Sequence, residues 1–440
     1  MVEALVGIFL LAVLSLGIYA SYSFGLKISI QNRLRTTATA IAERKIETIR
    51  AMNYVDMGVE GGVPGGNLLA TETEIDNGTT YTIKTSIRYI DDPLDNVFPQ
   101  DIVPTDYKQI EVRVSWPTNM ENSIIKLDTY ASPPRVESAV GMGVLMINTV
   151  DGSGNPIEGC QVHLVNNSVN PKIDLTEETD SNGSLLLPGA PTTTTNSYEV
   201  TISKNGYETV QTYPPYPVSS FNPIDTHISV SSGAITSKVF VIDLTSHQNL
   251  HFSDIHGTSL PNMNFSLVGG RVIGTTVAAA PEPVYSYNQS SLNSDSNGMW
   301  NSPALGKGPY AFSITNASYE LITTSLVSPW SLAANTTLPV EIVMGNKTEN
   351  ILVITVKESG GNVPVVGATV KVSDVTGIPF QETITDANGI AYFPKVEDPP
   401  KSFIGGQNYN IEVTSTGYIT ATTTATASGI VRRTIDLTKQ

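Results

Sequence analysis

The hydrophobic pattern changes period once along the chain. Ala4 to Tyr22 is a nineteen-residue run without a charge. As a helix it spans roughly 28 Å, close to the hydrocarbon thickness of a bilayer. A signal peptide has a shorter apolar core preceded by basic residues, and this run fits neither condition. Beyond it Ile28, Ile30, Leu34, Ala38, Ile41, Ala42, Ile46 and Ile49 recur at helical spacing. Their neighbours Gln31, Arg33, Arg35, Glu43, Arg44, Lys45, Glu47 and Arg50 are polar. The two stretches predict one helix over residues 1–52, roughly 75 Å long at 1.5 Å per residue. A single-pass anchor has no need of the second half. A helix that packs against copies of itself does.

After Met52 the period falls to two. Asn53 to Gly66 is a Gly-rich connection. Leu69–Asp76 and Thr79–Ile90 flank Asn77-Gly78, a hairpin signal, because Asn and Gly accept positive φ at little cost. Tyr107–Trp116 and Ser123–Ala131 alternate in the same way. Residues 53–131 therefore read as a four-stranded antiparallel head on the upper half of the helix.

From residue 138 onward the chain repeats itself three times. The segment 155–162 recurs as 260–267 and as 363–370, with Pro156, Pro261 and Pro364 in register. Each is followed by an Asp-x-Asn-Gly turn: Asp180 to Gly183, Asp295 to Gly298, Asp386 to Gly389. An apolar strand follows every turn. Short alternating strands at this density make two-sheet sandwiches. The reading divides them as 138–236, 237–345 and 346–440, the middle copy being the most divergent. Ser132–Arg135, Ser231–Gly233 and Gly345–Lys347 are small or proline-rich and read as short exposed linkers in a stiff rod. The fold class expected is a helix plus antiparallel sheet (α+β), followed by all-β sandwich domains.

Composition narrows the function. The net charge is −16, spread as +3 over residues 1–52, −8 over 53–131 and −11 beyond. An acidic surface argues against nucleic acid as a partner. Nothing matches a Gly-x-Ser-x-Gly elbow, a His-Glu-x-x-His zinc helix or a phosphate loop, so the chain reads as no enzyme. His247, His251 and His256 lie close in sequence, at a spacing that suits neither one helix face nor one strand face. They read as a surface segment rather than a zinc site. Cys160 is the single cysteine, a small core residue on a strand. Eight Asn-x-Ser/Thr sites suit an exposed surface able to carry glycans, and equally any β-rich extracellular protein. Tyr213 to Pro217 and Trp330 are aromatic surface candidates, the Pro-Tyr run reading equally as cover for a sandwich edge.

Two features carry more specific chemistry. Glu3 heads an apolar helix, where a carboxylate needs a partner, such as an amine from another chain. Asp91, Asp92 and Asp95 cluster after the second strand, where oxygen ligands suit Ca²⁺; a solvated acidic turn is the alternative.

Met1-Val2-Glu3-Ala4-Leu5-Val6 followed by the apolar run resembles the amino terminus of type IV pilins and pseudopilins. The resemblance covers about the first 130 residues. It implies a leader cleaved after glycine, a methylated new terminus, and a glutamate close behind it; Glu3 stands two places nearer the start than that pattern has it. Many such helices carry a mid-helix proline, and here Gly17 is the nearest weak point. The three repeats resemble carboxypeptidase-regulatory-like and collagen-adhesin B-type domains of immunoglobulin-like fold. That likeness raises a Lys–Asn crosslink, with Lys238 and Lys357 as first-strand candidates, but no last-strand Asn stands in the usual place. Together the resemblances imply a structural subunit of a type IV pilus-like extracellular filament, inserted in the cytoplasmic membrane before assembly. Its partners would be copies of itself, with Met1 and Glu3 at the contact, and the inner-membrane assembly machinery. The sandwiches would be displayed outside for a glycan or cell-surface ligand. The alternative is a minor pilin, pseudopilin or tip adhesin of a pilus or type II secretion system. No cofactor is implied beyond Ca²⁺ at the head loop.

Overall fold

The fold is that of a computed structural model, which describes residues 2–93, 100, 104–117, 124–134, 140–396 and 401–440; the side chains of residues 3–6 are not among them. The chain divides into two compact units. The first holds Met1–Ser203, Val210–Pro215 and Thr226–Val241, and the second holds Lys204–Thr209, Tyr216–Asp225 and Ile242–Gln440.

In the first unit a single helix, α1, runs from Val2 to Arg50. No proline interrupts it, and its exposed threonines Thr36, Thr39 and Thr48 bond back to the carbonyl four residues earlier. It ends where Met52 N–H turns back to Ile49 O. Strands β1 (Thr71–Asp76), β2 (Thr79–Ile90), β3 (Tyr107–Ser115) and β4 (Ile124–Ala131) follow, paired antiparallel in that order. Asn77 (φ 47°) and Gly78 (φ 78°) close the first hairpin with the positive angles its sequence predicts. Tyr81, Ile83 and Ile87 of β2 and Ile110, Val112 and Val114 of β3 pack on Ala38, Ile41, Ala42, Ile46 and Ile49 of α1. The helix presents these at three- and four-residue spacing, and its two alanines let the sheet approach closely.

The Gly-rich connection is a packed knot rather than a linker. A Cβ on Gly58 would fall 2.3 Å from Gly65 O, and one on Gly66 would fall 2.3 Å from Gly58 O. Gly61 takes φ +78° and bridges to Ile173 of the first sandwich, and Asp174 N–H donates to Gly61 O at 2.8 Å. On the other side, Gly189 of the sandwich leaves room for the Tyr89 ring of the head. Head and first sandwich are thereby pinned at two points. Composition marked this stretch only as a Gly-rich connection; the close approaches at Gly58, Gly61 and Gly66 are why they are glycine.

All three sandwiches share one plan. The first strand pairs in parallel with the last: Met142–Val150 with Ile235–Val241, His247–Asp254 with Thr337–Asn346, Ile351–Glu358 with Ile430–Leu437. The second sheet of each copy is antiparallel around Gln161–Asn166, Asn264–Thr275 or Thr369–Asp374. The predicted turns are built alike. Asp180, Asp295 and Asp386 each accept two backbone N–H groups on Oδ1, two and four residues on. Gly183, Gly298 and Gly389 take φ near 70° and bond through their carbonyls to Thr149, Phe252 and Val356 of the first strand. Immediately before each Asp stands a buried hydroxyl, Thr179, Ser294 or Thr385. It accepts from the N–H of Cys160, Met263 or Ala368 and donates to the carbonyl of Ile157, Leu260 or Val365. Sequence reasoning missed this hydroxyl, although Thr-Asp, Ser-Asp, Thr-Asp was there to be read.

Those bonds also correct the repeat alignment. Leu260 occupies the place of Ile157 and Val365, so the middle copy is shifted by two residues from the register with Pro261 opposite Pro156. Asn262 (φ 56°) then fills the left-handed position of Gly159 and Gly367. Several further expectations change. The first sandwich extends to Val241, past the division at 236, because Ile235–Val241 pairs with Met142–Val150. Ser231–Gly233 is a turn within that sandwich, and Lys238 stands on its last strand. Gly345 is buried in a strand against Ile322 and Ile351 rather than exposed in a linker. Ile255, Ile322, Ile351 and Val353 form an apolar cluster there, joined by Arg432 to Glu320 at 2.8 Å. Trp330 is core, not surface, and donates its indole N–H to Gln248 Oε1 at 2.7 Å. Cys160 is buried and free.

Candidate assembly surface on the first helix

The two halves of α1 have different surroundings. From Leu34 to Ile49 its apolar stripe lies against the head. From Ile8 to Ile30 it is bare: Ile8, Phe9, Leu11, Leu14, Leu16, Ile18 and Tyr19 are each more than half exposed. This segment is long and apolar enough to cross a membrane. Removing such side chains from water is worth about 1.5–3 kcal/mol each. Gly17 and Gly25 have nothing within 4 Å of where a Cβ would stand, so the helix surface is lowest there.

Glu3 is the second residue of α1, within its first turn, where a carboxylate also gains from the helix dipole. Met1 lies outside the described residues. Asp91 and Asp92 follow β2 directly, and Asp92 N–H donates to Asp106 Oδ2 at 2.5 Å. Asp95 lies outside the described residues. Among the described residues no group of three or more His, Cys, Asp or Glu side chains could hold a metal ion. Asp180, Gly183, Asp295, Gly298, Asp386 and Gly389 stand in the sandwich turns given above.

Ion pairs clamp the head to the polar flank of the helix. Arg44 meets Glu74 at 2.5 Å and Lys45 meets Glu72, both acids on edge strand β1. Two further charged residues were invisible to pattern reading. Lys108 points inward from β3 and is 1% exposed. Its Nζ donates to Tyr54 O and Met57 O, both at 2.7 Å, and sits over the Tyr54 ring. These carbonyls lie in the turn just past the helix end, where Tyr54 O also accepts the Met57 N–H at 3.3 Å. Burial pulls the Lys108 ammonium down to about 8, with Asp56 pulling weakly the other way. Glu111 stands on the outer face of β3, nearly covered by Arg113, by Lys126 at 2.8 Å and by Arg88 at 4.0 Å. Burial pushes its carboxyl up, but Lys126 and Arg113 outweigh that and hold it below the usual range. Lys84, Arg113 and Lys126 lie directly opposite one another across β2, β3 and β4, a row of like charges in which Glu111 meets Arg113 and Lys126, and Asp128 also meets Lys126 at 3.6 Å.

No family model matches this sequence, and no curated protein matches it. Among solved structures the chain is similar to the Bacillus anthracis TIE protein, at 13% identity over 84% of this chain and 73% of that one, with a TM-score of 0.20. It is similar to the Streptococcal ancillary pilin at 14% identity, over 68% and 98%, with a TM-score of 0.19. It is also similar to the minor pilin GBS52 of Streptococcus agalactiae at 15% identity, over 46% and 95%, with a TM-score of 0.22.

Proposed function

We propose that this chain is a structural subunit of a type IV pilus-like extracellular filament. Copies assemble through the first half of α1, and the sandwiches are displayed outside. One observation carries the reading: α1 is 49 residues long, and the head covers only its second half. The first half is apolar around its whole circumference, and a helix of that kind is stable in a membrane or inside a bundle of its own kind. It would lie in the cytoplasmic membrane until the assembly machinery moves it into a filament core. There Glu3 would meet the α-amine of a neighbouring subunit, since an unpaired carboxylate in an apolar core costs several kcal/mol. The sandwiches fold around their own cores and are free to meet a glycan or a cell surface. Electron microscopy of sheared surface appendages, with mass spectrometry of their content, tests the proposal. Appendages made chiefly of this polypeptide are the expected result. A chain found only in the membrane fraction would overturn it, and a trace constituent would make it a minor subunit.

A further inference from the structure

The second sandwich carries a hydrogen-bonded chain of three side chains that the filament reading does not use. Glu341 Oε2 lies 2.7 Å from His251 Nδ1, and His251 Nε2 lies 3.0 Å from Ser259 Oγ. With Nδ1–H given to the carboxylate, Nε2 is left as an acceptor and the serine hydroxyl donates to it. This is the order nucleophile, base, orienting acid, at the separations such a relay requires.

Three elements bring the residues together. His251 and Glu341 are direct partners across the parallel pairing of the first and last strands. Ser259 lies in the loop that returns from the first strand, bridged to Ser253. Asp254 shapes this loop by accepting the N–H groups of His256 and Thr258 on Oδ1. Gly298, at the end of the repeat turn, packs so closely that a Cβ there would fall 3.1 Å from Ser259 Cβ. The bonds Asp254 N–H to Thr258 O and Leu260 N–H to Phe252 O flank the Ser253–Ser259 pair. In an antiparallel ladder this turns the Ser259 N–H away from its partner strand, where it is open to an oxygen bound beside Oγ.

The other two copies show that the fold does not demand this set. Where the middle copy has Ser259, they have Pro156 and Pro364, bridged alike to the first strand. In place of His251 they have Asn148 and Thr355, and in place of Glu341, Val239 and Thr434. Three positions on three separate segments differ together, and in the middle copy alone they join.

We propose that Ser259 is an activated nucleophile that takes acyl groups from esters, with His251 as its general base and Glu341 as a positioning residue. Oγ bonds to the ester carbonyl carbon while its proton passes to His251 Nε2. The carbonyl oxygen takes the displaced electron pair and meets the Ser259 N–H. Collapse breaks the bond to the leaving alcohol, which departs with the proton held by His251. Water then adds to the acyl-serine, giving its proton to His251; the acid leaves and the hydroxyl is restored. Ser259 and Glu341 are exposed, so an ester on a large polymer can reach the hydroxyl as well as a small one can.

The test uses the full-length chain in detergent, a biotinylated fluorophosphonate and p-nitrophenyl acetate, with peptide mapping of the labelled site. Label is expected on Ser259. Ser259→Pro and His251→Asn borrow residues that the other copies hold at the same places, so both should fold, as checked by thermal melts. Ser259→Pro should remove the label. His251→Asn should slow labelling and ester hydrolysis roughly 100-fold or more, the scale of a lost general base. Glu341→Gln should slow both roughly tenfold, while Glu341→Asp restores most of the rate, which a purely packing role would not predict. Label spread evenly over exposed serines, or a Ser259 rate unchanged by His251→Asn, overturns the proposal.

Discussion

Residues 8–30 and 34–49 of α1 belong to one unbroken helix and are both rich in apolar side chains, yet among the described residues only the second is covered. The difference lies in the polar residues between. In the upper half Arg44 and Lys45 confine the apolar residues to a stripe, and the head sheet matches that stripe and pairs with those cations. The lower half has no polar flank, so a sheet could cover only part of it. A cover matched to it would have to surround it, as lipid or a bundle of helices does. Amphipathic pattern specifies a partner within the chain; uniform apolarity specifies an environment outside it.

The sharpest way to break this comparison is at Glu3. Glu3→Ala should abolish or severely reduce filaments while the melt of the chain stays where it was; normal filament numbers by electron microscopy would refute the pairing with a neighbour's amine. Next in size is a paired truncation. Ile110→Ala, in the head core, should cost about 2–5 kcal/mol by denaturant unfolding of the head. Leu14→Ala should leave that unfolding unchanged and lower only assembly. Equal effects of the two on head stability would mean the lower half is covered after all.

A smaller effect is expected from Lys108, which ties the helix end to the sheet. Its folded-state ammonium titrates near 8 against 10.5 for the free group. Between those values the unfolded chain keeps a proton that the folded chain has lost, so this residue makes stability rise with pH across that window. The rise is about 3 kcal/mol at most, and Lys108→Met should remove it from a series of urea melts between pH 7 and pH 10.5. Lys395, also drawn down to about 8 by burial, keeps its own contribution in the third sandwich. The smallest effect is expected from chelation. EDTA should leave the head's melting temperature unchanged if the Asp91–Asp92 segment is a solvated turn, whereas a drop of several degrees would assign Ca²⁺ to it.

Much of the architecture could be read from local pattern. The expected strand Thr79–Ile90 has those same ends in the structure, and β1, β3 and β4 fall within two residues of expectation. The continuous helix, the Asn77-Gly78 hairpin and the three Asp-x-Asn-Gly turns were equally plain. Each depends on side-chain periodicity or on the φ preference of one or two residues, and both are properties of neighbours along the chain. The apolar run that stays bare from Ile8 to Ile30 was legible for the same reason.

What only the tertiary structure decided involves residues far apart in sequence. His251 meets Glu341 ninety positions away because the first and last strands of a sandwich pair in parallel, and no local signal announces that pairing. The same holds for Lys108 against Tyr54 and Met57, for Trp330 against Gln248, and for Gly61 against Asp174. A glycine kept for close approach looks the same in sequence as one kept for flexibility, and a buried lysine the same as a solvated one. The physical distinction is whether another segment arrives to exclude water. The sequence by itself settled which segments would be helix, strand and turn; which of them would meet was decided by the fold.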